Sequence, residues 1–417
     1  MAEVRGFRGV RYNQAKVGEM DAVVSPPYDI ISHDERRWYC ERHPNNIVRL
    51  ILPEENGDKY QNAAKCLDEW LRSGVLARDP EPSIYAIEEA FEVDGHRKKR
   101  FGFVCLMRLE DFGTGVLPHE NVLAKPLEDR LNLTRATRTN FDSIFCLDAD
   151  GRATELIRPH TKGAADASAT DKAGVRTDLW RISDPETIRR VADILSGGAV
   201  VIADGHHRYS AALAFRNEMR ASGGSDPNAP YEFIMVTLVS LDDEGLVILP
   251  THRLVRNIEG FDPDTFCSRL GEFFEIEEAE PERLMQYVEL LGSHSFGVHL
   301  GGKSCLLRIK PGIMLGQSAL EQLDVTILHS LILEKILGIG AASLSAQSNL
   351  TYMRDADKAI QSVDSGEYQI ALLMNPPEVE EVKAVAAAGD KMPQKSTFFY
   401  PKLLTGMVMN MMSDRMV

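Results

Sequence analysis

The run AVVIADGHHRYSAALAF, from Ala199 to Phe215, decides how this chain is read. An apolar, strand-like stretch stops at Asp204, Gly205 turns the chain, and His206, His207 and Arg208 lead into Tyr209, Ala212, Leu213 and Phe215 at helical spacing. A strand, a glycine and a polar cluster at a helix start present backbone N–H groups to an anion, and the helix dipole adds to the attraction. Arg208 can fork onto a phosphate, and two imidazoles can donate or transfer protons. The plainer alternative is a turn in which Asp204 caps the helix and Arg208 ties down a loop. Five consecutive polar or glycine residues after a wholly apolar strand favour a phosphate-binding loop.

Outward from this loop, helix and strand patterns alternate. Ser32 with Glu35 reads as a capping box, Asp58 to Ser73 as an amphipathic helix, and Pro185 to Leu195 as the helix that feeds the Ala199 strand. Asn45 to Leu52 reads as a strand. Ser83–Val93 and Lys99–Leu109 read as strands joined by the hairpin signal Asp94-Gly95. Thr161 to Gly174, rich in Ala, Asp, Ser and Gly, reads as an exposed connection. Beyond Gly224 strands prevail (Phe233–Leu241, Leu246–Leu249, Ser295–Leu300, Ser304–Ile309), with Pro281–Gly292 helical between them. Leu328 to Ser345 reads as an amphipathic helix followed by a loop, well short of a membrane span. The class is α+β, mixed α/β, with a break near residue 250 giving regions 1–250 and 251–417, and with Lys391–Gly406 folding back to a strand-rich edge.

A chain of 417 residues with ordinary apolar content implies two to three domains. Its 47 basic and 62 acidic residues leave a net charge of −15, which argues against a general nucleic-acid or anionic-membrane surface. Six scattered cysteines without C-x-x-C disfavour structural zinc and a disulfide framework. The opening MAEVRGFRGVRYN lacks the apolar core of a signal peptide, so a cytoplasmic location is expected.

Gly297 to Ser304 matches G-x-x-x-x-G-K-S, yet both flanks run like strands, so Gly301-Gly302-Lys303 reads as a hairpin tip rather than a nucleotide loop. Arg130, Arg135 and Arg138 lie three to five residues apart and, with Lys125, make a candidate polyphosphate clamp or else a solvated helix face. Glu120, after Pro118 and His119, could be a general base in a pocket that raises its pKa. Lys395-Ser396-Thr397 could close over a phosphate or pack as a strand. The His252–Arg253 pair is of a kind that is usually structural. Asp204, His206, His207, His119 and Glu120 have no fixed metal-ligand spacing, so a catalytic Mg²⁺ carried in by a nucleotide is preferred to a resident metal.

PPYDII, NNIVRLILP, LPHENVLAKPLEDRLNLTRATRTNFDSIF, IADGHHRY, PTHRLV and MPQKSTFFYPKLLTG occur in this order, and on them the chain is identified as a member of the family known as domain of unknown function 1015. The pairing of PHE with a downstream DGHHR also resembles the ParB/sulfiredoxin-like nucleotide-binding fold, within it most of all the archaeal free serine kinases, which use ADP. The resemblance implies a nucleotide-binding core elaborated by a second strand-rich region. It implies Glu120 as the base that deprotonates serine; His119 and Lys125, its neighbours in sequence, are expected toward the substrate. It also implies Asp204, Gly205, His206, His207 and Arg208 on nucleotide phosphates, with His206 or His207 stabilising the transferring phosphoryl group.

The long stretch between Glu120 and Asp204, and the C-terminal half, depart from the compact kinases. The resulting expectation is a phosphotransferase of serine or a similar small hydroxylated metabolite, using ADP or ATP with Mg²⁺. The alternatives are a phosphoserine phosphatase and a non-enzymatic nucleotide-sensing switch like that of ParB. Expected partners are a small-molecule substrate and a nucleotide, with no nucleic acid or membrane, and a homodimer is compatible. A sulfiredoxin-type activity would need a cysteine in the loop, and Asp204–Arg208 has none.

Overall fold

The computed structural model describes residues 2–113, 115–120, 122–313, 316–340 and 348–412. It is a mixed α+β structure. The chain sorts into two units, one of Met1–Pro118, Val122–Val247 and Pro401–Val417, the other of His119–Asn121 and Ile248–Tyr400. Where the sequence reading draws one break near residue 250, the units interleave: the chain enters the second unit briefly at His119 and returns to the first at Pro401.

In the first unit the chain runs β1 (Val4–Arg5), α1 (His33–Arg42), α2 (Lys59–Arg72), β2 (Ile84–Val93), β3 (His96–Arg108), β4 (Val116–Leu117), α3 (Ala124–Thr137), β5 (Ile144–Asp148), β6 (Ala167–Thr170), β7 (Arg176–Ile182), α4 (Pro185–Leu195), β8 (Val200–Asp204), α5 (His206–Ala221) and β9 (Phe233–Ser240). Among the described residues the strands make one sheet in the order β4-β8-β5-β9-β3-β2-β7-β6, with β1 on β3. The β8–β4 and β9–β5 pairs are parallel and the others antiparallel.

Both faces of this sheet are covered, and strand alternation divides the side chains between two cores. Ile84, Ala86, Phe103, Cys105, Cys146 and Ile202 pack with Val191 and Leu195 of α4 and with Tyr209 and Ala212 of α5. Tyr85, Ile87, Val104, Leu106 and Leu179 pack with Ala63, Leu67 and Trp70 of α2 on the other face. Local signals place the ends. Ser32 and Glu35 form the capping box of α1, Asp58 caps α2 through Tyr60 and Gln61, and Asp184 caps α4 through Thr187. Asp94 and Gly95 take φ of 51° and 75°, the left-handed pair that closes a two-residue hairpin.

Two local expectations are corrected. Asn45–Leu52 is no strand; Val48–Ile51 is a helical turn. Asn46 decides it, because its Oδ1 accepts the Val48 N–H at 3.0 Å while its Nδ2 donates to the carbonyls of Ala22 and Val24. These side-chain bonds hold a bend that β-branched composition alone would not predict. Within Thr161–Gly174, Ala167–Thr170 pairs with β7 as a strand of the sheet rather than lying as a bare connection.

The second unit carries β10 (His252–Val255), β11 (Phe274–Glu278), α6 (Leu284–Leu291), β12 (Ser295–His299), β13 (Ser304–Ile309), β14 (Leu350–Met353), α7 (Ala356–Asp364) and β15 (Ile370–Met374). Its sheet is antiparallel, in the order β11-β13-β12-β15-β10-β14. Leu284 and Val288 of α6 and Ala359, Ile360 and Val363 of α7 pack on Leu254, Leu306 and Leu373. The G-x-x-x-x-G-K-S match is a hairpin: His299 pairs with Ser304, and Gly301 and Gly302 both have positive φ. The apolar run from Leu328 is helical to Ile336, and its end, residues 341–345, lies outside the described residues.

Candidate functional site

The strand–turn–helix of the first unit has the form its sequence demands. Gly205, between β8 and α5, sits at φ +98°, and a Cβ there would lie 3.1 Å from Arg208 Nη2 and from Ile144 Cδ1. Only glycine takes this backbone and this approach without strain. Asp204 does not cap the helix: α5 begins at His206 with no side-chain cap. An α-helix leaves its first N–H groups outside its own ladder, with the positive end of its dipole beside them.

Asp204 instead anchors a charge network. Its Oδ2 accepts from Arg208 Nη2 at 2.6 Å, and its Oδ1 accepts from Lys402 Nζ. Arg208 also donates through Nη1 to the Ser143 carbonyl at 2.7 Å and lies 3.5 Å from Asp142 Oδ2. Burial pushes the Asp204 carboxyl up, but Lys402 and Arg208 outweigh it and hold the group well below the usual carboxylate range. Asp142 goes the other way: burial raises it more than Arg208 and Arg130 lower it. Arg208 stays firmly protonated, since Asp142 and Asp204 overcome its own burial.

His207 Nε2 accepts the Leu123 N–H at 3.0 Å, which assigns the proton of a neutral ring to Nδ1. His206 is buried beside Asp204. Arg208 and Arg130 line one cleft with Thr134, Asn140 and Asp142, of about 40 Å³, the space of a few atoms.

The three arginines of α3 do not act as one clamp. Arg130 is buried, bonded to Asp129 and stacked over the Tyr28 ring at 3.9 Å. Arg135 is turned to Glu218 on α5, and Arg138, in the left-handed position after α3, donates to Met219 Sδ and covers the Phe215 ring. Lys125 is exposed on the first turn of α3. Of the four, Arg130 shares a cleft with Arg208.

In the second unit, Glu120 is bound on one side. Its Oε1 accepts from the Ser396 N–H at 3.1 Å and from the Thr397 N–H and Oγ1 at 3.4 Å. Oε2 has no hydrogen-bond partner among the described residues, and the side chain is 17% exposed, so this oxygen can take a proton from a ligand. His119 is fully buried, with Nε2 2.8 Å from Thr397 Oγ1. Ser396 and Thr397 thus hold a carboxylate in this structure, while Lys395, at φ +56°, turns the chain and is itself exposed.

Sequence reasoning missed Lys402, Asp142 and the distinctive setting of Arg253. The first two stand in the quoted motifs MPQKSTFFYPKLLTG and TRTNFDSIF, but nothing local marks them as partners of Asp204 and Arg208. Among the described residues no three His, Cys, Asp or Glu side chains gather as a metal-holding group. No described helix is long and apolar enough to cross a membrane.

Fold and site together define a mixed α+β protein with a glycine-hinged strand-to-helix loop backed by an Asp–Arg–Lys network. The chain belongs to the family described as Protein of unknown function (DUF1015), whose model matches residues 4–326. No curated protein matches it. Among solved structures it is similar to a conserved hypothetical protein from Pyrococcus furiosus, at 16% identity and TM-score 0.37, over 71% of this chain and 90% of that one. It is similar to a free serine kinase in complex with AMP, at 16% identity and TM-score 0.38, over 71% and 86% of the two chains. It is also similar to SbnI with C-terminal truncation from Staphylococcus aureus, at 11% identity and TM-score 0.36, over 72% and 85%.

Proposed function

We propose that this protein is a nucleotide-dependent phosphotransferase acting on serine or a similar small hydroxylated metabolite, with ADP or ATP as donor and Mg²⁺ carried by the nucleotide. The observation that carries the reading is the one-sided binding of Glu120: Oε1 is held by Ser396 and Thr397, and Oε2 is left for a ligand. A carboxylate so fixed is suited to receive a proton from an incoming hydroxyl. The hydroxyl oxygen then forms a bond to the terminal phosphorus of the nucleotide. The bond from that phosphorus to the bridging oxygen breaks, and the nucleotide leaves one phosphate shorter.

The start of α5, with Gly205, His206 and His207, is the proposed holder of the nucleotide phosphates. Asp204, Arg208 and Lys402 fix that loop, because the donors of Arg208 are already directed to Asp204, Ser143 and Asp142. Arg208 is thereby a positioning residue first, and its positive charge biases the loop toward anions. Lys395 and Lys125, exposed, are left for outer contacts.

Phosphorus NMR of the full chain with Mg²⁺, serine and ADP, ATP or CTP in separate tubes tests the reading, beside a tube of phosphoserine alone. Phosphoserine forming with matched loss of one nucleotide supports it and names the donor. Free phosphate from phosphoserine alone replaces it with a phosphatase. Broadening of one nucleotide without turnover replaces it with a sensor.

A further inference from the structure

Four arginines are buried among the described residues: Arg100, Arg130, Arg216 and Arg253. Arg100 pairs with Glu89, Arg130 with Asp129 and Arg216 with Asp111. Arg253, on β10 and 0% exposed, pairs with no carboxylate among the described residues. Its Nη1 donates to the Thr251 carbonyl and to Met374 Sδ, its Nη2 reaches the Lys395 carbonyl at 3.3 Å, and its Nε has no acceptor.

A guanidinium grips a carboxylate through the fork of Nε and Nη2, as Arg11 grips Asp79 in this chain at 2.9 and 2.8 Å. In Arg253 that fork holds one long bond to a neutral oxygen. The neighbouring basic groups do not share the charge. Burial and then Arg253 push His252 down to about 4 and His329 down to about 3, so both are neutral at pH 7, and His329 Nε2 also lacks a partner. Glu120 is the carboxylate whose field reaches Arg253, with no ion pair between them, and the Tyr352 ring, a neutral phenol at pH 7, lies 5.5 Å from the guanidinium. A buried cation with only neutral acceptors is costly and implies an anion absent from the free protein. Arg253 reaches the Lys395 carbonyl and the next two residues, Ser396 and Thr397, hold Glu120, so that anion belongs to the molecule whose hydroxyl Glu120 deprotonates.

We propose that Arg253 anchors the carboxylate of the acceptor, so that the substrate class is a small hydroxy acid, serine or a relative, rather than a neutral alcohol. The proposal rests on the phosphotransferase reading with Glu120 as base.

Calorimetric binding to the full chain tests it without turnover, using L-serine against ethanolamine and glycerate against ethylene glycol, with inorganic phosphate as a further titrant. The wild type is expected to bind at least one acid and neither carboxylate-free counterpart. Arg253→Met is expected to weaken that acid by tenfold to a hundredfold, roughly the worth of a charged hydrogen bond, with ADP binding unchanged. Arg253→Lys should retain part of the affinity.

Free of ligand, Arg253→Met should melt at or above the wild-type temperature, because it removes a buried charge without stranding a counter-charge. A lower melting temperature with acid affinity unchanged would show that the guanidinium only holds the Thr251 and Lys395 carbonyls, and would overturn the proposal. Equal binding of acid and carboxylate-free counterpart, binding of none of the four, or loss of phosphate affinity alone in Arg253→Met would overturn it too. Should that variant fail to fold, the wild-type comparison of each acid with its carboxylate-free counterpart decides. Acid binding through Arg253 without phosphoryl transfer refutes the kinase reading and leaves the anchor. Transfer to ethanolamine as fast as to serine refutes the anchor and leaves the kinase reading.

Discussion

Lys402 Nζ donates to Asp204 Oδ1, across 198 positions of sequence, and Arg208 donates to the other oxygen of the same carboxylate. The turn that opens α5 is therefore stiffened from two sides, by a residue of its own helix and by one from the end of the chain. A loop supported in this way keeps its backbone donors aimed without recruiting a ligand to order them, which suits the phosphate binding proposed for it.

Lys402→Met should destabilise the protein by about 3 kcal/mol at pH 7, because it leaves a buried carboxylate with one partner instead of two. The pH dependence has a definite sign. Asp204 is depressed below its ordinary value of 3.8 in the folded protein, so its contribution is full above that value and is lost as the pH falls through the folded value. Urea melts should show a constant gap between variant and wild type from pH 5 to pH 8, narrowing below pH 4. A gap that stays unchanged at pH 3 would contradict the assignment of the loss to this ion pair.

Gly205→Ala should cost about 1–2 kcal/mol, since an L side chain is forced to φ +98° with Arg208 and Ile144 3.1 Å away. Displacing Arg208 also moves the head of α5, so nucleotide binding should fall together with the melting temperature. Calorimetric unfolding and nucleotide titration on the same sample check both halves.

Glu120→Gln keeps an oxygen for Ser396 and Thr397 but cannot take a proton. Turnover should drop by about 10²–10⁴-fold with nucleotide affinity unchanged. Thr397→Val, which strips partners from both Glu120 Oε1 and His119 Nε2, should lower stability by about 1–3 kcal/mol as well. Wild-type turnover in Glu120→Gln would remove Glu120 from the chemistry.

Lys303→Ala, at the exposed tip of the Gly301-Gly302 hairpin, should leave nucleotide affinity where it was, to within about 0.5 kcal/mol. Any larger loss in a titration with ADP or ATP would revive the G-x-x-x-x-G-K-S match as a binding element.

Much of the local structure was legible in the chain. The apolar run to Asp204, the glycine after it and the periodic residues to Phe215 are enough to specify strand, turn and helix. The capping box at Ser32 and the Asp94-Gly95 turn are equally local. Each signal acts within about four residues, through a hydrogen bond, a cap or an allowed φ, so a reader of the sequence has every interacting group in view. The DGHHR loop was a candidate from its residue types and neighbours for the same reason, whereas Glu120 stood out only through the resemblance of its PHE motif.

Long-range packing decided the rest. Asn45–Leu52 looks like a strand until Asn46 meets the carbonyls of Ala22 and Val24. Arg130, Arg135 and Arg138, on and just after α3, look like one clamp until α5 packs alongside and draws Arg135 to Glu218 and Arg138 to Phe215. Nothing beside Arg253 in sequence shows that its guanidinium ends without a carboxylate, nor that Asp204 will find Lys402. The sequence by itself determined which segments become strands, turns and helices, because those choices depend on backbone propensity and nearest neighbours. Only the tertiary structure decided which charges are matched and which stand alone, because burial and pairing are set by residues hundreds of positions apart brought to one place by the core.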